Sequence, residues 1–85
     1  MNPQRARIVL TPEQVIEHGI GEDRTPAYIA ESLDLADDVG VERLVYDPVR
    51  DVTMVIVTGD RFAPVPPGVE APIVDLVDLR PKAEA

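Results

Sequence analysis

One histidine, one serine and no cysteine give this 85-residue chain few ways to do covalent chemistry. A nucleophile–base pair would have to be Ser32 and His18, with a third group supplied by the fold to orient the imidazole. His18 reads instead as a surface or capping residue near the end of a helix. The densest set of oxygen ligands is Asp34, Asp37, Asp38 and Glu42. A calcium loop wants carboxylates at its first, third and fifth positions, glycine at the sixth and glutamate at the twelfth. Counted from Asp34, the third, sixth and twelfth are Ala36, Val39 and Val45, so the run reads as a solvated acidic helix end. Gly19 and Gly21 follow a helix rather than a strand, and no lysine comes after them, which is not the pattern of a phosphate cradle. These inventories predict no enzyme, no metal and no cofactor.

The elements that would position any site are legible in patches. "RARIVL", residues 5–10, alternates: Ala6, Ile8 and Leu10 face one way, Arg5, Arg7 and Val9 the other, as in a half-buried strand. Thr11-Pro12 then opens a helix, with Gln14 placed to complete a capping box and Gly19 ending it after about two turns. The same Thr-Pro start recurs at Thr25-Pro26, fourteen residues on. Ile29, Leu33 and Ala36 form one apolar helix face, and Gly40 is a C-terminal stop. Asp34, Asp37 and Asp38 would then crowd the negative end of that helix dipole, which predicts a frayed last turn or a partner for the charges.

Residues 41–46 and 52–58 flank "DPVRD" as a hairpin, with Asp47 and Pro48 at the first two positions of a type I turn. The second strand is apolar on both faces, Val52, Met54 and Ile56 on one and Val55 and Val57 on the other, so it belongs in the middle of the sheet. Residues 60–72 hold "PVPP", which has the composition of a polyproline ligand but reads as part of a rigid connector. "IVDLVDLR", residues 73–80, is β-branched at its start, yet Ile73, Leu76, Val77 and Arg80 would equally line a helix. Residues 81–85 are expected to fray. The order is β-α-α-β-β-β: one α+β domain over residues 1–85, two layers, a small sheet of three or four strands with two short helices on one face.

Sixteen acidic residues face eight basic ones, a net charge of −8. That disfavours phosphate backbones, and the scarcity of aromatic residues disfavours base stacking. No apolar run is long enough to span a bilayer or to form a signal-peptide core, and the lack of cysteine suits a reducing cytoplasm. Seven arginines against one lysine point to a GC-rich bacterial coding bias.

The layout of "RARIVL" followed by two helices resembles that of ribbon-helix-helix repressors, and "RTPAYIAESL", residues 24–33, resembles the start of their second helix. The resemblance covers about a third of the chain. It implies a dimeric, antitoxin-like DNA-binding regulator, with a strand from each subunit paired across the dimer and Arg5 and Arg7 reading the major groove. Gly19 and Gly21 give a first helix shorter than that family's, and the charge runs against DNA.

The leading expectation is therefore a small cytoplasmic protein that works by binding another protein or itself. So thin a core, with a strand left exposed, favours a homodimer. The expected contact is "VDLVDL": an edge strand whose Asp75, Leu76, Asp78 and Leu79 meet the partner, the two aspartates pointing to opposite faces.

Overall fold

A computed structural model of the protein describes residues 2–20 and 25–81. Gly21 and the tail from residue 82 onward, part of the segment expected to fray, lie outside the described residues.

Strand β1, Arg5–Leu10, buries alternate side chains as its pattern requires. Helix α1, Pro12–Glu17, starts at Thr11, whose Oγ1 accepts from the Gln14 N–H (3.3 Å) while Gln14 Oε1 accepts from the Thr11 N–H (2.9 Å). Helix α2, Pro26–Ser32, starts at Thr25, which accepts from the Tyr28 N–H at 3.4 Å. Tyr28 in turn donates its hydroxyl to the Gly19 carbonyl (3.1 Å), tying the start of one helix to the end of the other.

Both helices stop in the same way. After α1, Gly19 (φ 68) donates to the Ile16 carbonyl and Ile20 to the Val15 carbonyl. After α2, Asp34 (φ 54) donates to Glu31 and Leu35 to Ala30. This paired capping puts one residue in the left-handed region and turns the next, Ile20 or Leu35, back toward the core. The second helix is thus shorter than its apolar spacing implied. Ile29 and Leu33 are buried within it and at its cap, but Ala36, Asp37 and Asp38 lie beyond it. Of the three acids, Asp34 alone sits at the helix end, and Asp37 and Asp38 do not load its last turn.

Strands β2, Gly40–Asp47, and β3, Val52–Thr58, form the expected hairpin. Asp47 Oδ1 accepts from the N–H groups of Val49 (3.0 Å) and Arg50 (3.3 Å), which closes the turn. The three strands are antiparallel in the order β1-β3-β2, so β3 is central. A bulge between Val41 and Arg43 leaves Glu42 without a partner on β3. Without that extra residue Glu42 would fall opposite Val57, on the buried face; with it, Val41 takes that place.

The inner face packs Ala6, Ile8, Leu10, Val55 and Val57 against Ile20, Ile29 and Leu33 from the helical side. Of the connector, Phe62 joins this core, while Val65 and Ala71 are buried outside it. The Gln4–Pro64 bridge and the Val65 N–H to Pro3 carbonyl bond (2.9 Å) hold the connector in place.

The last segment is where expectation and structure differ most. Where a last strand was expected, residues 73–80 make one parallel bridge to the sheet, Ile73 to Arg7. The chain then turns into a 3₁₀ helix, Leu76–Leu79. In 3₁₀ geometry residues three apart eclipse one another. Leu76 and Leu79 therefore share the side that faces the core, and Leu79 is 2% exposed. Asp75 and Asp78 are both exposed, on the solvent side of the turn instead of on opposite faces of a strand.

Candidate functional site

Arg61 closes the loop that follows β3. Its Nε and Nη2 donate to the two carboxylate oxygens of Asp38 (2.8 and 2.6 Å), and its Nη1 to the Asp78 carbonyl (3.1 Å). The same 3₁₀ helix accepts, at the Leu79 carbonyl, from the Ala36 N–H (2.8 Å). Of the four residues expected to face a partner, Leu79 is thus a core residue and Leu76 is half-buried against the core; only Asp75 and Asp78 reach solvent. The bidentate pairing with Arg61 holds the Asp38 carboxyl below its ordinary pKa and raises the guanidinium's.

His18 caps the C-terminus of α1, and Ser32 is the last residue of α2. Each is placed by a helix end. Among the described residues no three histidine, aspartate or glutamate side chains are grouped to hold a metal ion. No helix among them is long and apolar enough to cross a membrane.

The chemistry concentrates on the outer face of the sheet. Cross-strand register places Arg7, Ile56 and Arg43 in one row, and Val9, Met54 and Val45 in the next. The row above is Arg5, Thr58 and Gly40; Arg5 reaches over it to Glu42 on the bulge (2.7 Å), and Glu42 also meets Arg43 at 3.7 Å. The bulge thus keeps a carboxylate out of the core and sets it between two guanidinium groups. The Arg5 Nε is buried with no hydrogen-bond partner among the described residues.

Arg7 is held differently. The backbone of residues 72–74 runs along the outer edge of β1, where the Arg7 N–H donates to the Pro72 carbonyl and the Val74 N–H to the Arg7 carbonyl, both at 2.9 Å. The preceding residues, 69–71, cross the outer face as a strap. Arg7 Nε donates to the Ala71 carbonyl (2.8 Å), Nη1 approaches Met54 Sδ (3.3 Å), and Nη2 pairs with Glu70 (3.1 Å). The Arg7 side chain is 13% exposed and that of Glu70 82%. A pair with one end in water contributes about 0–1 kcal/mol, so Glu70 can be displaced from Arg7 at little cost.

Together Arg5, Arg7, Arg43, Val45, Met54, Ile56 and residues 69–71 enclose a cleft of about 230 Å³. Its floor is aliphatic and its walls carry three guanidinium groups and the Glu70 carboxylate, with Glu42 paired to Arg5 and Arg43 beside it, within a chain of net charge −8. A second cleft, about 360 Å³, opens where residues 73–76 diverge from the end of β1, but it brings together only Gln14 and Asp75 as polar side chains.

Arg5 and Arg7 do share the outward face of β1, as the alternation implied. The ribbon that the repressor resemblance implies would use the outer edge of β1, and that edge is engaged at Arg7. β1 has β3 on one edge and residues 72–74 on the other at Arg7, and the Arg7 side chain is turned into the strap. Nothing in the local sequence marks Arg43, Val45, Met54, Ile56, Glu42 and Glu70 as site residues. Counting back from the hairpin turn does pair Arg43 with Ile56, so part of the site was accessible to register arithmetic. The pairing of β1 with β3, which brings Arg7 to the same row, carried no local signal. No protein-family model matches the chain, and no curated protein or solved structure is similar to it.

Proposed function

We propose that the protein is a non-catalytic binding domain that acts in the cytoplasm by docking another protein on the outer face of its sheet. One observation carries this reading. The row Arg7–Ile56–Arg43 and the aliphatic floor beside it form a cationic, apolar patch on an otherwise acidic chain, and among the described residues only the strap of residues 69–71 covers it. Apolar floors with arginine at their margins are the composition of protein-binding surfaces. Two copies meeting through this face would set six guanidinium groups against four carboxylates, so a different, acidic protein fits it better than a second copy does.

The test is capture from host cells by the wild-type chain and by Ile56→Asp, read by mass spectrometry. Val45→Asp, on the edge strand, is the companion variant if Ile56→Asp lowers the melting temperature. A protein captured by the wild type and lost from a folded variant supports the reading; capture indifferent to both substitutions removes it. Light scattering on the isolated chain adds a control. A mass near 9.3 kDa fits docking of a different protein. Twice that mass, returning to the monomer with Val45→Asp, would put a second copy on the face instead.

A further inference from the structure

Resting on that docking reading, we infer that the partner presents a linear acidic segment: an aliphatic side chain enters the cleft between Val69 and the Val45–Met54–Ile56 floor, and carboxylates beside it engage Arg43 and, in place of Glu70, Arg7. Size sets the first part. A cleft of about 230 Å³ has room for an aliphatic side chain and is smaller than the pockets that enclose drug-sized ligands, which run from about 300 to 1,000 Å³.

Charge sets the second part. Guanidinium groups match carboxylates in planar, two-point geometry, and three of the seven arginines converge on this one face. Arg43 is 66% exposed and among the described residues pairs with Glu42 alone, at 3.7 Å, which leaves its donors open to an incoming anion. Glu70 already shows how a carboxylate sits on Arg7. It is bound at 3.1 Å from a strap whose neighbouring Val69 lines the same cleft, an apolar–acidic pair supplied by the chain itself. The partner's segment repeats that pair and competes with it. No aromatic side chain lines the cleft, so a nucleobase would find nothing to stack on.

The experiment uses the full chain labelled with ¹⁵N and two synthetic peptides, acetyl-Glu-Leu-Asp-Ile-Glu-amide and its neutral counterpart with glutamine and asparagine. The acidic peptide should shift the amides of Val45, Met54, Ile56, Val69 and Ala71 in a saturable way, and bind about tenfold more tightly than the neutral one. Arg43→Gln, at an exposed position, should weaken the acidic peptide about fivefold and leave the neutral one unchanged. Glu70→Ala should tighten the acidic peptide, because it removes the internal competitor; a purely structural strap would give the opposite sign. Equal affinities for the two peptides, no saturable shift at about 5 mM, or weaker binding in Glu70→Ala would overturn the inference. If the peptides fail while Ile56→Asp still abolishes partner capture, the face is a docking site for a partner of other chemistry. If capture is indifferent to Ile56→Asp, the docking reading itself falls.

Discussion

Asp34 stands at the end of the second helix where Gly19 stands at the end of the first. Both adopt positive φ (54° and 68°), and both are followed by an apolar residue whose N–H reaches back five residues along the helix, Leu35 to Ala30 and Ile20 to Val15. Thr-Pro starts and left-handed stops thus make α1 and α2 two uses of one capping device, and only the stop at Gly19 carries the residue best suited to it.

That difference predicts opposite effects at the two positions. Asp34→Gly removes a Cβ from the left-handed region and an acid from the negative end of the helix dipole. It should raise stability by about 0.5–1 kcal/mol. Gly19→Ala should lower it by about 1 kcal/mol. Thermal melts of both variants check this; an Asp34→Gly protein that melts lower than wild type would contradict the account of the helix end.

Gly59 is required for a different reason, since its φ is not in the left-handed region. A Cβ at this position would lie 2.6 Å from the Asp38 carbonyl oxygen, a backbone atom that cannot swing aside. Gly59→Ala should cost about 1–3 kcal/mol by forcing the loop after β3 away from residue 38, a fall in Tm of at least about 4 °C for a domain of this size. An unchanged melt would show that the two segments separate freely.

Asp38 and Arg61 give the fold a pH dependence of known sign. The pair depresses the folded-state pKa of Asp38 below its ordinary value of 3.8. A depressed carboxylate contributes stability that is present above its unfolded value and is lost as the pH falls through the folded one. The wild type should therefore melt higher than Asp38→Asn by a constant margin at about pH 5–8, and the margin should close as the pH drops below about 4. A margin unchanged down to about pH 2 would mean that Asp38 acts there through packing rather than charge.

The 3₁₀ helix separates a structural residue from two solvent-facing ones. Leu79→Ala should cost about 2–5 kcal/mol, a large share of the stability of so small a domain. Asp75→Asn combined with Asp78→Asn should change stability by less than about 0.5 kcal/mol per site. Urea titrations of the two proteins, fitted with a common slope, measure both. Near-wild-type stability in Leu79→Ala would return this segment to the role of an exposed strand.

What the sequence determined by itself is what neighbours a few residues apart decide. Thr11 and Gln14 cap one another, Thr25 repeats the start, Gly19 turns the chain, Asp47 closes the hairpin, and strict alternation orients Arg5–Leu10; in each case the partners lie within one turn or one pleat. Only the tertiary structure decided the rest, because those partners are remote in the chain. Residues 73–80 fit helix and strand equally well over so short a run, and the choice fell to the core, which needed Leu79 buried and Leu76 beside it; a 3₁₀ turn satisfies this and a strand does not. The second helix ended at Leu33, although its spacing continued to Ala36, because Leu35 turns inward through Asp34. The outer-face cleft depends on Arg7 meeting Glu70 and Ala71 across separations of 63 and 64 residues, and on a bulge that moves Glu42 out of the core. Contacts at such separations leave no periodicity to read. They form because burying Ala71 and Leu79 brings the end of the chain back along β1, and the arginines of the outer face then meet the carboxylates carried there with it.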